Sequence, residues 1–380
     1  MDKNRPETNV PAVKCFVNTG SRLLSLDSGP EAQLLGHEKM PGGSALTYGQ
    51  YLDAVSGLLV ENSFHILRQL LSKGPKPFPP LEKASSIELI AEKHGALYSV
   101  SRLRVGFGDT IGQFAVNCAF SPEQQAFLQV ETALLSELAA KFNLDYLPSP
   151  IIRAEAPGLM VFLAQWFSGH HEFHLCAKAA AEPAIKIWDN DNGQREFIGA
   201  DKSCELYVQA TKILTSYLDL ETFSQIYPWH HAAGDFIIDQ TQSPVSVRLI
   251  TARGYRSLLS KDFAAQDKML GSLHFFLNLC IRMRLDRLDG VGELAWAGAN
   301  CLDGILRGFM EAWETKQKDT VPKAEEIFAL FKALSPEERL AFAQVAAQEG
   351  MIEADETDFL APRLPSCMAE LAKALEHFGF

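Results

Sequence analysis

Cysteine is scarce and unpatterned here. The 380 residues hold seven, at Cys15, Cys118, Cys176, Cys204, Cys280, Cys301 and Cys367, and no two form a CxxC pair. An odd, scattered set suits neither a disulfide framework nor a cysteine zinc site; small apolar residues in a reducing compartment are the simpler reading. Long apolar runs are missing too: no uncharged stretch approaches the roughly 18 residues of a membrane helix. The start, Met1-Asp2-Lys3-Asn4-Arg5-Pro6-Glu7, has no apolar segment behind its charges, which predicts no signal peptide and a cytoplasmic protein. Positive charge is in deficit, with 35 Lys and Arg against 47 Asp and Glu and a net charge of −12. Phosphate backbones and anionic lipids need clustered Lys and Arg, so neither nucleic acid nor membrane is an expected partner. Internal repeats and low-complexity tracts are absent. The chain is 47% apolar and 22% charged, an ordinary globular composition, and its length predicts two or three domains.

The pattern along the chain changes near residue 85. Before it, residues 1–45 carry little periodicity beyond turn chemistry at Asp27-Ser28-Gly29-Pro30 and Pro41-Gly42-Gly43. Apolar residues at three- and four-residue spacing then predict a helix over Tyr48 to Leu71. Lys73 to Pro80, rich in proline, reads as a stiff linker. Beyond it, strands are predicted at 87–91, 96–105 and 113–120, with a glycine turn at 106–112. Ser121-Pro122-Glu123 is a helix start, with Ser as N-cap, and that helix should run to about Phe142. Leu159 to Phe167 is short enough for a buried strand, and 184–198 reads as a hairpin around Asn192-Gly193. A helix over 202–218 and strands at 236–238 and 245–250 follow, and from Asp262 onward only helices are expected. This order predicts an α+β fold in four parts: an N-terminal extension (1–84), a strand-rich region (85–170), a mainly helical region (171–320) and C-terminal helices (321–380).

Polar chemistry concentrates in two stretches, Gln165 to His174 and Tyr227 to Phe236, which hold five of the ten histidines. The second carries a resemblance. A helix, then Trp229-His230-His231-Ala232-Ala233-Gly234-Asp235, two short strands and Thr251-Ala252-Arg253-Gly254 resemble the helix, catalytic loop and hairpin of the protein-kinase-like small-molecule phosphotransferases, the aminoglycoside phosphotransferase and choline kinase type. The string from Trp229 to Phe236 is also similar to one in a bacterial family with no assigned activity. The phosphotransferase resemblance spans about residues 85 to 315, by order of elements more than by identity. It implies a bilobal kinase-like fold, with a small strand-rich N-lobe, a mainly helical C-lobe and an N-terminal helical extension, that binds ATP and Mg²⁺. By it Asp235 is the candidate catalytic base with His231 beside it, and Asp235 and Asp239 are candidate metal ligands. Gly106, Gly108 and Gly112 resemble the phosphate-covering loop. Asn117 stands where the phosphate-binding Lys belongs, Glu131 resembles that lysine's partner, and Gln165 ends the strand that would hold adenine.

The departures bear on chemistry. Asn117 replaces the Lys, Thr251 replaces the second metal-binding Asp, and the loop after Asp235 leaves no room for a metal-binding Asn. Phosphoryl transfer depends on cations placed around the γ-phosphate. The expected function is therefore a nucleotide- or small-molecule-binding protein, a phosphotransferase with a slow or inactive site. A rival from another class is a metal-dependent hydrolase. His170 and His174 would share a helix face, and Glu172 and His230 could complete a His/carboxylate shell. A third is a non-catalytic scaffold for a protein partner. Each signal also has a plainer origin: GxGxxxG as a hairpin turn, Glu131 on a solvated face, Asp235 at a strand edge. Arg282, Arg284 and Arg287, interleaved with Asp286 and Asp289, read either as an internal ion-pair network or as cleft residues for an anion.

Overall fold

The computed structural model describes residues 10–20, 22–28, 34–39, 45–73, 77–94, 97–178, 181–189, 191–259, 267–316 and 321–379. Gly29-Pro30, Pro41-Gly42-Gly43, Gly74-Pro75-Lys76, Ala96 and residues 262–266, all named above, lie outside them. The chain divides into two compact units, residues 1–168 with 190–193, and residues 169–189 with 194–380. Helices and strands mix as an α+β arrangement expects, with strands prevailing early and helices late.

The first unit is built on a seven-stranded sheet. Its strands are β1 (Val13–Asn18), β2 (Leu23–Ser25), β5 (Ser86–His94), β6 (Ser99–Phe107), β7 (Thr110–Ala119), β8 (Pro150–Ala156) and β9 (Leu159–Gln165), in the order β2-β1-β5-β6-β7-β9-β8. All neighbours are antiparallel except β1 and β5. Strands β3 (Leu34–Lys39) and β4 (Ala45–Thr47) pair separately. Residues 13–18 and 48–73, expected in an N-terminal extension, thus fall in the first unit and the former joins its main sheet. Helix α1 (Tyr48–Lys73) buries Tyr51, Leu52, Val55, Leu58 and Leu59 against Leu89, Leu103, Val105 and Val116 of the sheet. It is not one continuous helix. Glu61 is extended, and Asn62, Ser63 and Phe64 have φ of 50°, 59° and 62°, so a left-handed turn divides it. Apolar spacing alone does not reveal such a break, because the faces on either side stay in phase with the core. Phe78, from the proline-rich stretch, stacks on Phe107 and meets Phe114 edge-on. Helix α2 (Pro122–Phe142) starts with a capping box between Ser121 and Gln124 and ends at Asn143 in the left-handed region.

The second unit has a five-stranded antiparallel sheet in the order β12-β11-β10-β14-β15, formed by β10 (His171–Lys178), β11 (Ala181–Asp189), β12 (Gln194–Phe197), β14 (Ala233–Asp239) and β15 (Ser246–Leu249). Strand β13 (Ser224–Ile226) pairs with β16 (Tyr255–Ser257), and β17 (Leu285–Arg287) with β18 (Leu294–Trp296). The expectation of helices alone after Asp262 is corrected by this last hairpin; three-residue strands are too short to display a period. The helices are α3 (Ala200–Ser216), α4 (Lys268–Arg282), α5 (Cys301–Glu314), α6 (Ala324–Ala333), α7 (Pro336–Glu349), α8 (Glu356–Leu360) and α9 (Leu364–His377). Every residue of α4 from Gly271 to Arg282 is buried, as its nearly unbroken apolar run requires. Phe275, Phe276, Phe309, Trp313 and Phe328 pack ring against ring beside it. Among the described residues, no helix is long and apolar enough to cross a membrane.

Candidate functional site

The second histidine stretch lies between β13 and β14, and its polar side chains converge. Gly234, at φ +89°, makes the left-handed step that starts β14 and places Asp235 on the strand. Asp235 is 2% exposed. One of its oxygens accepts the His230 N–H at 2.8 Å, and the other is paired with the Arg253 guanidinium. His231 is fully buried, its Nδ1 lying 3.1 Å from Asp286 Oδ2 and its Nε2 3.4 Å from the Tyr207 hydroxyl. His230 Nδ1 is 3.7 Å from Asp286 Oδ1. Asp286, on β17, also accepts the backbone N–H groups of Ala232 (2.7 Å) and Arg287 (2.8 Å).

The electrostatics follow from this geometry. Burial pushes the Asp286 carboxyl up, but the contacts and charges of His231 and His230 and the Ala232 N–H outweigh it and hold the group down at about 2. Burial lowers His230, against the pull of Asp286 in the other direction. Asp286 is thus an ionised hub that fixes both histidines and the loop backbone.

Asp286 is the organising residue that the motif reading leaves out. It lies 55 positions after His231 (286 − 231), in a stretch read as an arginine-rich ion-pair region. That network exists, with other partners: Arg282 pairs with Glu356 at 2.8 Å, Arg284 with Glu370 at 2.5 Å, and Arg287 with Glu353 and, at 2.8 Å, Asp355. Glu353, Asp355, Glu356 and Glu370, all near the C-terminus, hold these arginines in place.

The remaining candidates are dispersed within their units. Asp239 accepts the Thr241 N–H, the Thr241 hydroxyl and the Gln242 amide at 2.6–3.0 Å, closing its own turn. Burial works against its ionisation, yet these bonds hold its carboxyl below the usual range. His170 bonds Ser246 Oγ at 3.0 Å. Glu172 and His174 lie on a strand, not the helix assumed in pairing His170 with His174. On a strand four residues span about 13 Å, too far for one ion. The His174 ring lies 4.1 Å from the Trp188 ring, tilted by 44°, and its Nε2 is 3.8 Å from Glu172. Among the described residues, no three of His170, Glu172, His174 and His230 bring ligand atoms within 4.8 Å of one another.

In the first unit, Gly108 has φ +61° in the two-residue turn between β6 and β7, where Phe107 pairs with Thr110. Gly106 and Gly112 lie in the strands, where a Cβ would meet Ser86 and the Phe78 ring. Asn117 donates to the Phe162 carbonyl at 3.3 Å. Gln165 ends β9 opposite Phe114. Glu131, read as a solvated face residue, is 2% exposed and accepts a 2.7 Å hydrogen bond from the Tyr98 hydroxyl. No protein-family model and no curated protein sequence matches the chain.

Proposed function

We propose that the chain is a kinase-like protein in which phosphoryl-transfer chemistry has lapsed, leaving a non-catalytic binding protein. One observation carries this: both oxygens of Asp235 are committed internally, to the His230 N–H and to Arg253. A general base must be within reach of a substrate proton, and Asp235 is 2% exposed with a donor already on each oxygen.

Other positions point the same way. The first unit runs strand, strand, strand, helix, strand, strand from β5 to β9, and this order supports the kinase-like reading. In that class a Lys on the third strand pairs with a Glu on the following helix. Here the third strand carries Asn117, bonded to a carbonyl, and Glu131 is bonded by Tyr98. Thr251 stands in the place of the metal-binding Asp, and Asp239 is spent on its own turn. This donor set does not fit Mg²⁺ with ATP. Among the described residues, the ligand set expected for a metal hydrolase, His170, Glu172, His174 and His230, is not brought together.

The test is a thermal-shift titration with ATP, GTP and ADP, each with and without Mg²⁺, alongside Asp235→Asn. The proposal expects no Mg²⁺-dependent shift and a melting temperature lowered several degrees by Asp235→Asn without ligand, because Asp235 is structural. A Mg²⁺-dependent nucleotide shift that disappears in Asp235→Asn would overturn it.

A further inference from the structure

One cavity in the first unit is lined by none of the residues that the kinase resemblance assigns. It has a volume of about 310 Å³, and its lining includes Asn18, Arg22, Arg102, Arg104, Gln113 and Asp191. Its floor is the polar face of the main sheet. Leu89, Leu103, Val105 and Phe114 turn to the core, and the residues alternating with them turn away from it. Glu88, Arg104 and Gln113 face one another across three neighbouring strands.

The side chains that line this cavity carry more positive than negative charge, with Glu88 and Glu92 pairing Arg104 and Arg102 beside it. Three guanidinium groups and one carboxylate line it, in a protein of net charge −12. The guanidinium groups also keep spare donors. Arg102 is 9% exposed; its Nε lies 2.6 Å from Glu92, its Nη2 donates to Asp191 at 2.9 Å, and its plane lies 5.1 Å over the Trp166 ring. Arg104 pairs through Nη1 with Glu88 at 3.0 Å. The Arg22 guanidinium has no ion pair with a described residue. Its backbone is nonetheless fixed, because the Thr19 N–H and hydroxyl both donate to the Arg22 carbonyl, at 3.1 and 3.0 Å. Asn18 closes the same turn by accepting the Gly20 N–H at 2.8 Å. Each guanidinium carries five N–H donors and no acceptor, so the partners above leave donors over on all three.

The geometry points to a binding site for a small oxyanion, a phosphate or carboxylate group of a small molecule, held by Arg22 and Arg104 above the Arg102–Asp191 pair. Arginine suits this ligand because its planar fork meets two oxygens at once. The volume is at the lower end of the range for small-molecule sites, which favours a small metabolite over a dinucleotide. The site takes no part in the reading of Asp235.

Isothermal titration of the whole protein with inorganic phosphate and, separately, malonate tests this, with ionic strength held constant by sodium chloride. Saturable binding is expected for at least one, and the tighter anion identifies the head group. Arg22→Gln and Arg104→Gln should each weaken it by about tenfold or more, the loss of one charge-assisted contact. Asp191→Asn should tighten it by releasing Arg102. Arg22 is exposed, so its variant keeps the fold, and an unchanged melting temperature without ligand checks this. No saturable binding of either anion would overturn the inference. So would binding of equal strength in the wild type and both arginine variants.

Discussion

The two units handle buried charge differently. In the first, polar groups are joined in small sets: Tyr98 with Glu131, and Arg102 with Glu92 and Asp191. Burial raises the Glu92 carboxyl, with Arg102 and Asn18 opposing it only in part. In the second unit the charges form hubs tied to backbone. Asp286 holds two histidines and two N–H groups, while Glu356 holds Arg282 and the Ile352 N–H. A hub fixes a loop as well as a side chain, so its loss should be felt over more of the structure.

The largest effect should come from removing a hub. Asp286→Ala strips His231 of its buried partner and leaves the Ala232 and Arg287 N–H groups unsatisfied. Such breaks cost about 3–5 kcal/mol, and urea unfolding should show a loss of that order. Arg282 and Glu356 sharpen the point, being 2% and 1% exposed. Glu356→Ala should also cost about 3–5 kcal/mol, because it leaves a buried guanidinium alone. Adding Arg282→Met should recover most of that loss, the Ile352 N–H accounting for the remainder. A double variant no more stable than Glu356→Ala would show that the pair is not the unit of stability.

Acid should find the same hub. The Asp286 carboxyl is held at about 2, below its ordinary value of 3.8. A group with a lowered folded pKa contributes stability above the unfolded value, and this is lost as pH falls through the folded one. The loss should therefore fall between about pH 4 and pH 2 and be on the order of 2 kcal/mol, from roughly 1.4 kcal/mol per pH unit. Asp286→Asn, which cannot titrate, should flatten the stability profile in that window; an unchanged slope would assign the acid loss to other carboxyls.

The same contrast explains what could be read from the sequence. Local rules were legible wherever the cause is local. The Ser121 cap, the Asn192-Gly193 hairpin turn and the apolar run of α4 each carry their reason within a few residues. The hairpin bearing Asp286 was not legible, since strands of three residues show no alternation. Nor were the partners of the arginines, because Arg282 and Glu356 lie 74 residues apart and nothing in the chain marks them as a pair. His230, His231 and Asp235 stood out by density, but density does not distinguish a site open to substrate from one closed on itself. That distinction rests on Arg253 and Asp286, which only the fold brings there.

The first unit should yield smaller changes. Tyr98→Phe removes the hydroxyl that donates to Glu131 and should cost about 1–2 kcal/mol, the penalty for a buried carboxylate that loses a donor. Glu131→Gln keeps an acceptor for Tyr98 and should cost less. The reverse order would mean that the charge of Glu131, not its hydrogen bond, is what the unit depends on. At the surface, Arg68 pairs with Glu82, the two side chains being 37% and 46% exposed. Such pairs are worth at most about 1 kcal/mol and are screened by salt. Glu82→Gln should therefore change stability little, and any difference should vanish in high salt. If it persists there, Glu82 acts through more than charge. The scale from Asp286 to Glu82 would then follow how many neighbours each carboxylate fixes, and burial would be only one part of it.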